Sequence, residues 1–210
     1  MEEYQALVME WRTLAKDMYD LAKEFGKEDA IQYEKFLLRA LMYLSKIQDS
    51  QKSLKDAYDV VEICSMINEF YQYSNSYDKV VEYAKTQYMY GEAIYAQTKD
   101  TSILLKVGSA YKSICTCLQQ QDNKVEVLAC MKNGIQAIEP GCNQFPELNK
   151  MYLDWQQQIS ILEQEHPTTP VVPAPVPVSE TKKPMYCIMC GSKNSSGARF
   201  CIYCGKKLKE

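Results

Sequence analysis

Between residues 1 and 165, apolar side chains recur at every third or fourth position, and glycine and proline are scarce. That period is the mark of helices with one buried face. In the second segment Ile31, Glu34, Leu37, Leu38, Leu41, Leu44 and Ile47 trace one face as a nearly continuous apolar stripe. The pattern breaks at turn signals. Gly26 in "FGKED" closes a first helix, and "IQDSQ", near Asp49 and Ser50, closes a second. "YSNSY" separates a third from a fourth, with Ser76 as the N-cap, and "TKDTS" opens a fifth. "QQQDNKVE" opens a sixth, where Asn123 and Glu126 have capping-box spacing. "IEPGCNQFPE" is the longest break, with Pro146 as a first-turn proline of a last helix that ends near Glu165. The pattern predicts a mainly α body of about seven helices, each of roughly 15–24 residues. Short links make sequential helices antiparallel. The simplest arrangement is a row of hairpins, first with second, third with fourth and fifth with sixth, capped by the last helix.

At residue 166 the pattern stops. Pro167, Pro170, Pro173, Pro175, Pro177 and Pro184 are six of the eight prolines. A stretch such as "PVVPAPVPV" cannot continue a helix, because proline lacks the amide donor and clashes with the preceding turn. It favours extended polyproline II at ~3 Å per residue. A spacer is the expected role, with a docking site for a proline-binding domain as the sharper alternative. The chain thus divides into a helical body (1–165), a proline-rich linker (166–184) and a C-terminal segment (185–210).

Composition adds the environment. Hydrophobic residues make up 46% and charged residues 24% of the 210, enough apolar material for a real core in an ordinary globular chain. No apolar run approaches the ~18 residues of a membrane span. The acidic, charge-broken "MEEYQALVMEWRTLAKD" does not resemble a secretory signal, and no lipidation motif stands at either end. The expected compartment is the cytoplasm, with no membrane partner. Thiols stay reduced there, so the nine cysteines are expected to be metal ligands or core residues before disulfides. The net charge of -3 hides an asymmetry. Residues 1–165 hold 17 Lys+Arg and 25 Asp+Glu, whereas 181–210 hold seven basic residues (Lys182, Lys183, Lys193, Arg199, Lys206, Lys207 and Lys209) and a single acid, Glu210. An acidic body carries a basic tail.

The tail reads Cys187-x2-Cys190-Gly191 and then Cys201-x2-Cys204-Gly205, with ten residues between Cys190 and Cys201. Two intervening residues let both thiolates of a pair reach one ion from a tight turn, and a following glycine tolerates the positive φ that such a turn needs. Four soft thiolates select zinc, or less often iron. A pair of redox dithiols is the rival reading. The stretch resembles the short zinc-ribbon family: Phe200, Cys201, Cys204, Gly205, Lys206, Lys207 and Leu208 follow its order. Ile188 and Ile202 stand where that family usually has proline, which leaves the ligands untouched. A small C-terminal β zinc ribbon is what the resemblance implies. One structural Zn²⁺ is expected on Cys187, Cys190, Cys201 and Cys204. Four cysteines leave no position open for water or substrate, and the metal would supply the folding energy of so small a domain.

One helical pair, "YKSICTCLQQQDNKVEVLACMKNGIQAIEP", resembles a tetratricopeptide repeat. Tyr111, Ile114, Leu118, Val127, Met131 and Gly134 fall near that motif's packing positions, and Pro140 near its closing proline. Cys115 and Val127 stand where the motif has small residues. The resemblance implies a tetratricopeptide-like hairpin array.

Nothing in the sequence assembles a catalytic site, and a non-enzymatic protein is expected. The sole histidine, His166, heads the linker, and no phosphate loop, nucleophile elbow or His-Glu-x-x-His is present. Cys64 and Cys130 read as core fillers and Cys142 as a loop residue. Cys115 and Cys117 lie two apart on a helix and point in different directions. Seven tyrosines fall between Tyr71 and Tyr95, either as a binding face or, more simply, as rings packed helix on helix. The expected function is a protein-interaction adaptor for a partner that the sequence does not name. The alternative is a nucleic-acid-associated factor of transcription or translation, contacting phosphates through Arg199, Lys206, Lys207 and Lys209 beside Tyr186, Phe200 and Tyr203.

Overall fold

The computed structural model describes residues 2–26 and 28–165, together with the backbone of 185–186 and 193–194. Among the described residues, seven α-helices follow one another: α1 (Glu2–Phe25), α2 (Ala30–Gln51), α3 (Leu54–Tyr73), α4 (Tyr77–Thr98), α5 (Ile103–Gln120), α6 (Lys124–Ile138) and α7 (Pro146–Glu165). A 3-10 turn, Glu139–Gly141, carries Pro140 between the last two. The chain divides into two compact units, Met1–Pro167 and Thr168–Glu210. The proline-rich linker 166–184 and His166 lie outside the described residues.

The helix starts are set by local chemistry. Asp29 accepts the backbone N–H of Gln32 (3.1 Å), Ser53 that of Asp56 (3.4 Å) and Asn123 that of Glu126 (3.3 Å), each satisfying one of the donors a helix start leaves free. Ser76 precedes α4 but makes no side-chain cap. Its hydroxyl lies 3.2 Å from that of Ser74 instead. The second helix ends within the expected break, running through Asp49 and Ser50 to Gln51, and stops where Lys52 turns left-handed. Among the described residues, each link from α1 through α6 passes through one left-handed residue: Gly26, Lys52, Asn75, Lys99 and Asp122. Only the first is a glycine, which is why the stops were faint in the sequence.

Successive helices pack on one another, but not as separate hairpins. The α4–α5 contact is as extensive as the α3–α4 contact. Helix α3 also packs on α5, and α5 on α7, whereas the even-numbered helices make no comparable contact with each other. Helices α3, α5 and α7 therefore sit closer to one another than the even-numbered helices do. Two core clusters run through the stack. One joins Val8, Ala15 and Ala22 of α1 with the buried faces of α2 and α3 and reaches Cys117 of α5. The other joins α3, α4 and α5 with Met131 and Ile138 of α6 and with Leu148 and Trp155 of α7. Tyr90 packs against both.

The buried stripe of α2 is Tyr33, Leu37, Ala40, Leu44 and Ile47, rotated from the expected one. Ile31 is 77% exposed, because it lies off the line that the 4-3-4-3 spacing from Tyr33 draws down the helix. Two crossings are closed by missing side chains. A Cβ on Gly134 would sit 2.6 Å from the Trp155 ring, and one on Gly91 2.5 Å from Cγ2 of Val107. A buried amide chain ties the middle helices: Asn68 Nδ2 donates to Gln87 Oε1 (2.7 Å), and Gln87 Nε2 donates to the carbonyl of Lys106 (2.8 Å).

Candidate metal centre and helical groove

Two short strands, Met185–Tyr186 and Lys193–Asn194, pair antiparallel with Met185 opposite Asn194 and Tyr186 opposite Lys193. In the sequence, the first cysteine pair, Cys187-x2-Cys190, lies between these two strands. Cys187, Cys190, Cys201 and Cys204 themselves lie outside the described residues. Their chemistry fits zinc, since two matched pairs of soft donors supply a complete tetrahedral set. Among the described residues, no group of three or more His, Cys, Asp or Glu side chains could hold a metal.

The helical body presents a groove of 520 Å³ between α1 and α3. Met9, Lys16, Tyr19 and Asp20 line one wall, and Lys55, Asp59 and Glu62 the other. Arg12 bridges the walls. Its Nη2 lies 2.7 Å from Oδ2 of Asp56, and its Nε donates to Oδ1 at 3.0 Å. The Asp56 side chain is 2% exposed and that of Arg12 33%. Burial opposes ionisation of Asp56, but hydrogen bonds from Arg12 and Ser53 outweigh it and hold the carboxyl below its ordinary pKa. Asp59, beside it, moves the other way, pushed up by burial and by the Asp56 charge. Glu62 pairs with Lys106 at 2.9 Å, and the Lys23 ammonium sits 4.1 Å from the centre of the Tyr19 ring. The Arg12–Asp56 pair was not legible from the sequence, because the two residues stand 44 positions apart.

The tyrosines between 71 and 95 mostly pack within the body. Tyr71 stacks on Tyr83 with ring centres 5.7 Å apart, and Tyr88 on Tyr111 at 4.6 Å. The Tyr71 hydroxyl donates to Glu34 (2.5 Å), with Lys79 3.0 Å from the same carboxylate oxygen. Only Tyr73, at 87% exposure, stands free of the core among them. Cys64 and Cys130 are buried as expected, and Cys142 is half-buried rather than a free loop thiol, donating to the carbonyl of Ile138 at 3.5 Å. Cys115 and Cys117 do diverge: the first faces the C-terminal core cluster and the second the N-terminal one. The sequence did not place Cys115 against Cys130, yet their sulfurs lie 3.0 Å apart.

No helix among the described residues is long and apolar enough to cross a membrane. No curated protein matches the chain. No solved structure matches it either. Residues 186–208 match the family model of a zinc-ribbon domain, a family that binds zinc.

Proposed function

We propose that the protein is a non-enzymatic interaction adaptor, in which the helical body grips a protein partner and the C-terminal ribbon adds a second contact. The supporting observation is the α1–α3 groove, whose walls carry charges of both signs around Met9 and Tyr19. Mixed charge with apolar and aromatic anchors suits a polypeptide ligand better than a small substrate. The packing of α3 on α5 and of α5 on α7 supports a tetratricopeptide-like array that binds along its inner layer. In the ribbon, Cys187, Cys190, Cys201 and Cys204 hold one structural zinc ion. The basic tail supports the second reading, nucleic-acid association through Lys206, Lys207 and Lys209.

Affinity purification of the intact chain beside a Cys187→Ser/Cys190→Ser variant tests both readings. A specific protein retained by both forms, and lost when Tyr19 and Lys16 are replaced by serine, supports the adaptor. A partner lost on nuclease treatment, with binding that weakens steeply as salt rises, supports the nucleic-acid reading and counts against the adaptor.

A further inference from the structure

We propose that Cys115 and Cys130 are a reversible oxidation site, closing to a disulfide that staples α5 to α6. The two sulfurs are 3.0 Å apart across the helix crossing. A disulfide needs about 2.05 Å, so a shift of about one ångström closes the bond without a new fold. Neither thiol is committed elsewhere in a way that opposes this. Cys115 donates to Cys130, and Cys130 donates weakly to the carbonyl of Tyr111 at 3.6 Å. Cys117, the neighbour on α5, does not compete, because it sits in the other core cluster.

The geometry also divides the roles. The Cys115 hydrogen bond favours the thiolate at Cys130 against the opposing effect of burial, and the Lys85 charge adds to this. Cys115 is held in the thiol form, first by that hydrogen bond and then by burial. With a peroxide as oxidant, the Cys130 thiolate attacks one peroxide oxygen. The O–O bond breaks, hydroxide leaves and takes up a proton, and Cys130 becomes a sulfenic acid. The Cys115 sulfur then attacks the Cys130 sulfur, its proton leaves with the expelled hydroxyl as water, and the S–S bond forms. Two thiols lose two electrons, and one peroxide becomes two waters. Cys115 is 3% and Cys130 9% exposed, so the step waits on local opening at the crossing and suits an oxidant the size of water.

The test is hydrogen peroxide titration of the full zinc-loaded chain, followed by alkylation of remaining thiols, trypsin digestion and mass spectrometry. Cleavage after Lys112, Lys124 and Lys132 puts Cys115 and Cys130 on separate peptides. The expected product joins residues 113–124 to 125–132, with Cys117 alkylated and dithiothreitol reversing the link. The thermal midpoint should rise by roughly 5–10 °C on oxidation, and a Cys130→Ala chain should show neither change. Full alkylation of both thiols after peroxide, a link through Cys117, or a midpoint that falls as the link forms overturns the proposal. The mapping on the unaltered chain decides even if Cys130→Ala does not fold.

Discussion

Arg12 of α1 reaches Asp56 of α3 with two nitrogens on two carboxylate oxygens, at 3.0 and 2.7 Å, and so closes the floor of the groove. Paired guanidinium–carboxylate bonds of this kind are the strong, geometrically specific class. Because the Asp56 side chain is nearly inaccessible, Arg12→Ala strands a buried charge. Loss of one partner from a fully buried pair costs about 3–5 kcal/mol. Arg12 is partly solvated, so about 2 kcal/mol is expected here. Urea unfolding measures it, and Arg12→Met with Asp56→Leu should recover most of the loss.

The same carboxyl sets an acid limit. Asp56 and Glu34 both titrate below their ordinary values in the folded protein, Glu34 chiefly through the Tyr71 hydroxyl and then Lys79. Their contribution is complete above the unfolded carboxyl values of about 4 and is lost as pH falls through the lower folded values. The thermal midpoint should therefore decline below about pH 4, and the Asp56→Asn chain should show a shallower decline. Equal slopes in the two proteins would remove Asp56 from this account.

Gly134 is where α7 meets α6. A Cβ there lies 2.6 Å from the Trp155 ring, and overpacking of this kind costs about 1–3 kcal/mol. Gly134→Ala should lower stability by that amount and red-shift the emission of Trp155, which is buried in the native chain.

Lys52 occupies a left-handed turn at φ 42° and is exposed. Such a turn costs an L-residue about 1–2 kcal/mol, which glycine avoids. Lys52→Gly should raise stability by up to about 1 kcal/mol, and Lys52→Val should lower it. Denaturant midpoints of the pair settle the sign.

Zinc removal should affect the C-terminal unit alone. Metal analysis of the chain is expected to find one zinc, and substitution of Cys187 and Cys190 by serine to abolish it. A chelator should leave the helical circular dichroism of the body unchanged, because no metal-holding group exists among its described residues.

The helices were legible because their apolar period is strong and their starts carry Asp29, Ser53 and Asn123, whose side chains cap as their type demands. Their ends were less so, since Lys52, Lys99 and Asp122 adopt a conformation that sequence reasoning reserves for glycine. The ribbon was readable because its two cysteine pairs are close in sequence. The groove, the thiol pair and the amide chain were not, because each joins residues on different helices, and only the packed stack sets those distances. For the same reason the stripe on α2 was misjudged: Leu38 and Leu41 flank the buried line that Leu37 and Leu44 define.

The two core clusters have a mechanical consequence. They meet only in the middle of the array, where α3, α4 and α5 contribute to both and Tyr90 touches both. A stack in which each helix leans on its neighbours melts from its ends, like a zipper with two open sides. Amide hydrogens of α1 and α7 should exchange first and those around Gln87 last. A partner in the α1–α3 groove would then protect the end that is otherwise quickest to let go.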